Sequence, residues 1–80
     1  MDDPEIVARI GKLAEEERRL EEGHVGDELS PEQEEHLRGI EVALDQCWDL
    51  LRQRRARRNA GQDPDDAIVR PESVVENYRQ

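Results

Sequence analysis

Two proline-initiated stretches without internal proline, residues 4–22 and 31–59, constrain this chain most. In both, apolar side chains recur at spacings built from three and four residues, which is the period of one face of an α-helix. They are Ile6, Ile10, Leu13 and Leu20 in the first stretch, and Leu37, Ile40, Leu44, Cys47 or Trp48, and Leu51 in the second. The sequence therefore predicts two helices over these residues.

Capping residues mark the predicted ends of both helices. Asp3 is a suitable N-cap for the first helix, because Pro4 then occupies the first helical position. Ser30 and Gln33 form a capping box at the start of the second helix. Gly61 is the first strong stop after that, since glycine readily adopts the backbone conformation that ends a helix.

The connection between the helices, residues 23–29 with the sequence GHVGDEL, predicts an antiparallel hairpin. In this arrangement Ile6 faces Cys47 and Leu13 touches Ile40. The predicted fold is all-α: an antiparallel hairpin of two long helices, followed by a C-terminal tail that contains a short helix.

The chain is expected to divide into a hairpin, residues 1–61, and a tail, residues 62–80. The hairpin buries little apolar surface, so its folding free energy comes out near zero. Something must therefore cover its apolar stripe. The two candidates are the tail and a second copy, which would give a coiled-coil-like four-helix bundle as a homodimer.

The tail is expected to pack on the hairpin, because disordered segments are poor in β-branched and aromatic residues. The predicted contact joins Val74, Val75 or Tyr78 to residues 47–51, within one chain or across a dimer. Pro71 favours an extended residue before it and a short helix after it.

Composition excludes several classes of protein. Only 34% of the residues are hydrophobic, against a usual 45–50%, and 41% are charged. No apolar run approaches the roughly 20 residues of a membrane span, and the acidic start does not fit a secretory signal. A single cysteine forms no internal disulfide and fits a reducing compartment. We therefore expect an acidic, cytoplasmic protein that does not bind a membrane.

The net charge of −9 is unevenly distributed. Residues 52–58 contain five arginines and no acid, whereas residues 1–51 contain 16 acids and five bases. Guanidinium groups bind phosphate or carboxylate. The arginines are Arg52, Arg54, Arg55, Arg57 and Arg58. In the structural interpretation they stabilise the helix end and pair with acids of the same chain, which are Asp2, Asp3 and Glu5 across the hairpin and Asp63, Asp65, Asp66, Glu72 and Glu76 of the tail. The alternatives are contact with nucleic acid and contact with an acidic protein surface.

Trp48 is expected to be mostly buried, as a core or interface anchor, so that Trp48→Ala costs roughly 3–5 kcal/mol. The neighbouring acids Asp45 and Asp49 disfavour a reactive thiolate at Cys47, so the thiol is expected to pack. The two histidines, His24 and His36, are not in a metal-binding motif. The sequence predicts no catalytic residue, no cofactor and no metal site.

The string Asp45–Ala56, DQCWDLLRQRRA, resembles a family of short actinobacterial proteins described as a domain of unknown function. The similarity extends over nearly the whole chain, from Ile6 to Tyr78. It includes Ala60-Gly61 with Asp63-Pro64, and Val69-Arg70-Pro71. The resemblance implies no activity, cofactor or catalytic residue.

Taken together, the sequence favours a small non-enzymatic interaction module, an adaptor or regulator that binds a protein partner, including a second copy. The alternative is a factor associated with nucleic acid or ribonucleoprotein through residues 52–58. The residues expected to contact a partner or phosphate are the five arginines and Trp48.

Overall fold

The structure is a computed structural model that describes residues 1–23 and 28–75. These residues form two long helices, α1 (Asp3–Glu22) and α2 (Pro31–Asn59), a 3-10 turn (Pro64–Asp66) and a short helix, α3 (Glu72–Val75). The described ranges contain no strand, so the predicted all-α fold is confirmed. The predicted loop histidine, His24, and the predicted tail contact of Tyr78 lie outside the described residues.

Helix α1 begins one residue earlier than the sequence predicts. Asp2, rather than Asp3, is the N-cap: its carboxylate accepts a 2.9 Å hydrogen bond from the Glu5 amide, and the Glu5 carboxylate accepts a 3.1 Å bond from the Asp2 amide. Both acids can cap a helix, and the choice leaves the Asp3 side chain available for contacts elsewhere.

Both ends of α2 have the predicted capping. The Ser30 hydroxyl accepts a 3.2 Å bond from the Gln33 amide, and the Gln33 side chain accepts a 2.8 Å bond from the Ser30 amide. At the other end, Gly61 has a φ of 72°, a left-handed value that favours glycine. The next amide, of Gln62, donates back to the Arg57 carbonyl at 2.7 Å and so closes the helix.

The core lies where α1 crosses the second half of α2. Ile6 packs with Cys47 and Leu50 in a buried cluster, which confirms the predicted facing of Ile6 and Cys47. Leu13 packs against this cluster, while its contact with Ile40 stays a prediction. Nearer the loop, the ring of His36 lies 2.8 Å from the Glu16 carboxylate, as antiparallel helices require.

Residues 67–71, the extended segment, run antiparallel to α2 along a polar stripe formed by Gln46, Asp49 and Gln53. The Gln53 side chain donates to the Ile68 carbonyl at 2.6 Å, and the Gln46 side chain donates to the Arg70 carbonyl at 3.2 Å. Further along, Arg38 pairs with Glu72 at 3.2 Å. These bonds satisfy backbone groups that an extended segment cannot pair within itself.

Ala67 and Arg70 contact the stretch of α2, residues 47–51, that the sequence assigns to Val74, Val75 or Tyr78. The predicted contact of Val74, Val75 or Tyr78 with that stretch stays a prediction. An extended chain advances about 3.3 Å per residue and a helix about 1.5 Å. The extended residues therefore pass along α2 quickly, and α3 begins near Arg38.

A buried ion pair joins α2 to the extended segment. The Asp49 side chain has no exposed surface, and its carboxylate accepts hydrogen bonds from both Arg70 and Gln53. The Arg70 guanidinium, opposed by burial and assisted by Gln53, lowers the pKa of Asp49 below its usual 3.8. The pair is charged at neutral pH and connects two segments 21 residues apart.

We predict that acid weakens the fold from about pH 5 downward. Because the folded chain lowers the pKa of Asp49, the unfolded chain takes up the proton first as the pH falls. The stabilisation by the Asp49 carboxylate is therefore complete above the pKa that Asp49 has in the unfolded chain. It is lost as the pH falls through the lower pKa that Asp49 has in the folded chain. Urea unfolding at a series of pH values measures this slope, which should be shallower in Asp49→Asn. An unchanged slope in that variant would show that Asp49 does not contribute.

Candidate functional site

The structure separates the five arginines of residues 52–58 into two groups. Arg54 and Arg58 lie on the side of α2 that faces α1, where Arg54 is buried. Arg52 and Arg55 are exposed, and Arg57 is half-buried. The run is therefore not a single basic surface.

Arg54 connects three parts of the chain. Its guanidinium donates to the Asp3 carboxylate at 2.5 Å, to the Asp65 carboxylate at 3.0 Å and to the Pro64 carbonyl at 3.2 Å. Arg58 donates to the same Asp3 carboxylate at 2.8 Å. The hydrogen bonds of Arg58, and then those of Arg54, lower the pKa of Asp3. This network holds the start of α1 and the 3-10 turn against the end of α2.

Trp48 is half-exposed, with 48% of its surface accessible, so the prediction that it is mostly buried is wrong for the single chain. The reason is the position of Trp48 around α2. Leu50 and Cys47 face α1, and Gln46 faces the extended segment. Trp48 is two residues from both Gln46 and Leu50. Two residues correspond to a rotation of about 200° around a helix, so Trp48 points away from both α1 and the extended segment.

The exposed side of the hairpin also includes part of α1. Arg9 lines a small cavity of about 100 Å³ together with Gln46 and Val69, on the side where the extended segment lies. Val7 precedes Arg9 by two residues and therefore lies on the opposite side of α1. It is 57% exposed. Val7 and Trp48 thus belong to the same side of the hairpin.

We call this surface the Trp48 face. On α2 it follows the helical period through positions 41, 44, 48, 51 and 55, of which 44 and 51 are half-buried leucines. Charged residues of α2 border the apolar positions. The face comprises Val7, Glu41, Leu44, Trp48, Leu51 and Arg55, with Asp45 and Arg52 at its edge.

Trp48→Ala is expected to leave the single chain folded and to lower its free energy of unfolding by only about 1 kcal/mol or less. Because nearly half of the ring is open to solvent, its removal leaves a surface depression rather than an internal cavity. Thermal unfolding followed by circular dichroism of dilute protein measures the change. A loss of several kcal/mol under these conditions would place the ring in the core.

Cys47 contributes packing rather than reactivity, as predicted. It is a buried, free thiol in the core cluster. Burial raises the pKa of the thiol above its usual value, although nearby Arg9 acts in the opposite direction. A protonated thiol is a poor nucleophile.

The predicted pairing of the arginine run with Asp3 and Asp65 is confirmed for Arg54 and Arg58. The sequence does not predict the buried Asp49–Arg70 pair. The available signal was the polar series at positions 46, 49 and 53, which has the same helical spacing as an apolar stripe. Such a series on a helix that is apolar on its neighbouring face indicates a polar segment packed against it.

Comparison with known proteins agrees with the family resemblance. The family described as "Protein of unknown function (DUF2630)" has a model that matches residues 2–80. The chain belongs to this family. Similar relatives are "Uncharacterized protein Mb0922c" of Mycobacterium bovis and "Uncharacterized protein Rv0898c" of Mycobacterium tuberculosis. Each is 53% identical over 78 residues, covering 95% of this chain and 88% of the relative.

No solved structure matches this DUF2630 chain. Within the part of the chain that is described, neither long helix combines the length and the apolar character needed to cross a bilayer.

Proposed function

We propose that this DUF2630 protein is a small non-enzymatic interaction module, an adaptor or regulator in the cytoplasm, that binds a protein partner through the Trp48 face. The observation that carries the proposal is the exposure of Trp48, which holds 48% of its surface open in a chain with only one tryptophan. Tryptophan and arginine are the residues that most often dominate binding energy at protein interfaces. Both are present on this face.

The covered side of the hairpin supports the same proposal. The extended segment binds the polar stripe of α2 through Gln46, Asp49 and Gln53. The core cluster packs against α1. An apolar surface bordered by charges on the remaining side has the composition of a protein interface.

The alternative, binding to nucleic acid through residues 52–58, has less support. Arg54, which is buried, and Arg58 both form ion pairs with carboxylates of the same chain. Within the described residues, Arg55 and Arg57 make no ion pair, so they are the arginines that a phosphate backbone would use. The acids on the Trp48 face repel phosphate, whereas they suit a protein partner.

Affinity capture from cells of the native organism tests the proposal. Tagged wild type, Trp48→Ala and Val69→Ala are compared after nuclease treatment, with recovered proteins quantified by mass spectrometry. Val69 is an exposed apolar residue on the opposite side and serves as the matched control. We expect proteins recovered with wild type and Val69→Ala to be at least about tenfold depleted with Trp48→Ala.

Equal recovery by all three chains would contradict the proposal. Loss of the recovered proteins on nuclease treatment would instead favour the nucleic-acid alternative. In that case a gel shift should weaken steeply with salt and disappear when Arg55 and Arg57 are replaced by alanine.

A further inference from the structure

We infer that the Trp48 face binds a second copy of this chain, with the two α2 helices antiparallel and crossing at Trp48. This inference rests on the proposed function and names its partner. It is carried by the order of charges along α2 and by the position of residues 67–71.

Charges on the Trp48 face are segregated along α2. Glu41 and Asp45 precede Trp48 by seven and three residues, and Arg52 and Arg55 follow it by four and seven. Seven residues are about two helical turns, so the outer charges lie on the same face as the ring. All four side chains are exposed or half-buried.

An antiparallel crossing at Trp48 brings opposite charges together. With a two-fold axis at Trp48, a residue that follows Trp48 in one copy lies opposite the residue that precedes Trp48 by the same number of positions in the other copy. Arg55 of one copy then lies opposite Glu41 of the other, about 10 Å from the axis on both sides. Arg52 lies beside Asp45 in the same way, because their separations from the axis differ by one residue.

A parallel crossing has the opposite electrostatics. It would place Arg55 on Arg55 and Glu41 on Glu41, and like charges in contact disfavour binding. The charge order thus selects one orientation. It also makes the patch complementary to itself, which is the requirement for a closed two-fold dimer.

The apolar positions complete the interface. Trp48 and Val7, the two most exposed apolar side chains of this side, would be covered together with the half-buried Leu44 and Leu51. The extended segment binds Gln46 on the other side of α2 and leaves the face open. Two hairpins joined in this way form a four-helix arrangement with residues 67–71 of each chain outside.

The test is a charge exchange measured by sedimentation equilibrium on the full chain. One variant carries Arg52→Glu and Arg55→Glu, and the other carries Glu41→Lys and Asp45→Lys. In each variant alone every cross-pair becomes repulsive, so the dimer dissociation constant should rise at least about tenfold. In an equimolar mixture every cross-pair is again attractive, and association should return to within about threefold of wild type.

Lys12→Glu is the control for Arg55→Glu, because each of these variants reverses one positive charge. Lys12 is exposed and about 140° around α1 from Val7, away from the Trp48 face. It should leave the dissociation constant unchanged. Circular dichroism of each variant checks that the helices are intact.

A wild-type chain that remains monomeric at about 1 mM overturns the inference. A mixture that associates no better than its components overturns it as well, because the opposed charges would not then meet. Neither result affects the proposed function if Trp48-dependent capture of another protein persists, so the two proposals fail separately.

Discussion

Asp49→Ala should destabilise the chain by about 3 kcal/mol, a large part of the roughly 4–12 kcal/mol expected for 80 residues. The Asp49 carboxylate is fully buried and accepts from Arg70 and Gln53. Its removal leaves a partly buried guanidinium and an amide without their acceptor, which costs more than the pair contributes when intact. Urea unfolding at pH 7 followed by circular dichroism measures the loss.

Two comparisons isolate this ion pair. Asp66→Ala removes an exposed carboxylate from the 3-10 turn and should change stability by less than about 0.5 kcal/mol. Arg70→Met combined with Asp49→Ala should cost clearly less than the sum of the two single changes, since the partners act together. If Asp49→Ala and Asp66→Ala proved equally mild, the pair would not hold the segment to α2.

Deleting residues 64–80 should lower the melting temperature by about 10 °C or more. The deletion removes the buried Val75. It also removes Arg70, the partner of Asp49, and Asp65, a partner of Arg54. It also opens the polar stripe of α2 to water. Thermal unfolding of the truncated and full-length chains measures the difference.

The truncated chain provides its own control. With the extended segment gone, Asp49 faces solvent, so Asp49→Ala should then cost less than about 1 kcal/mol. A truncated chain that melts like the full-length one would mean that the tail contributes no stability, in disagreement with the contacts of residues 64–75.

The helices could be predicted because their determinants are local. The Ser30 capping box, the Gly61 stop and the apolar spacing all act within a few residues, and the structure has α2 over the predicted range. The N-cap of α1 depends on contacts that are remote in sequence. Asp2 and Asp3 are equivalent as local caps, and the difference between them lies in the bonds of Asp3 to Arg54 and Arg58, more than 50 residues away.

The Trp48 face could not be predicted because it depends on which sides of α2 are covered. The sequence shows an apolar stripe on α2 that includes both Cys47 and Trp48, and a single partner helix covers only part of it. The extended segment is held on α2 by the buried Asp49–Arg70 pair and by the hydrogen bonds of Gln46 and Gln53. Polar partners of this kind have no periodic pattern in the tail, so the pairing becomes visible only in three dimensions.

Fluorescence of Trp48, the only tryptophan, tests most directly whether the ring is open in one chain and covered on binding. In dilute wild-type protein, the account predicts red-shifted emission that acrylamide quenches readily. As the concentration rises, emission should shift to shorter wavelengths and quenching should fall, while Arg55→Glu keeps the dilute spectrum. Blue-shifted, poorly quenched emission at the lowest concentration in both chains would contradict the account, because the ring would then be buried within its own chain.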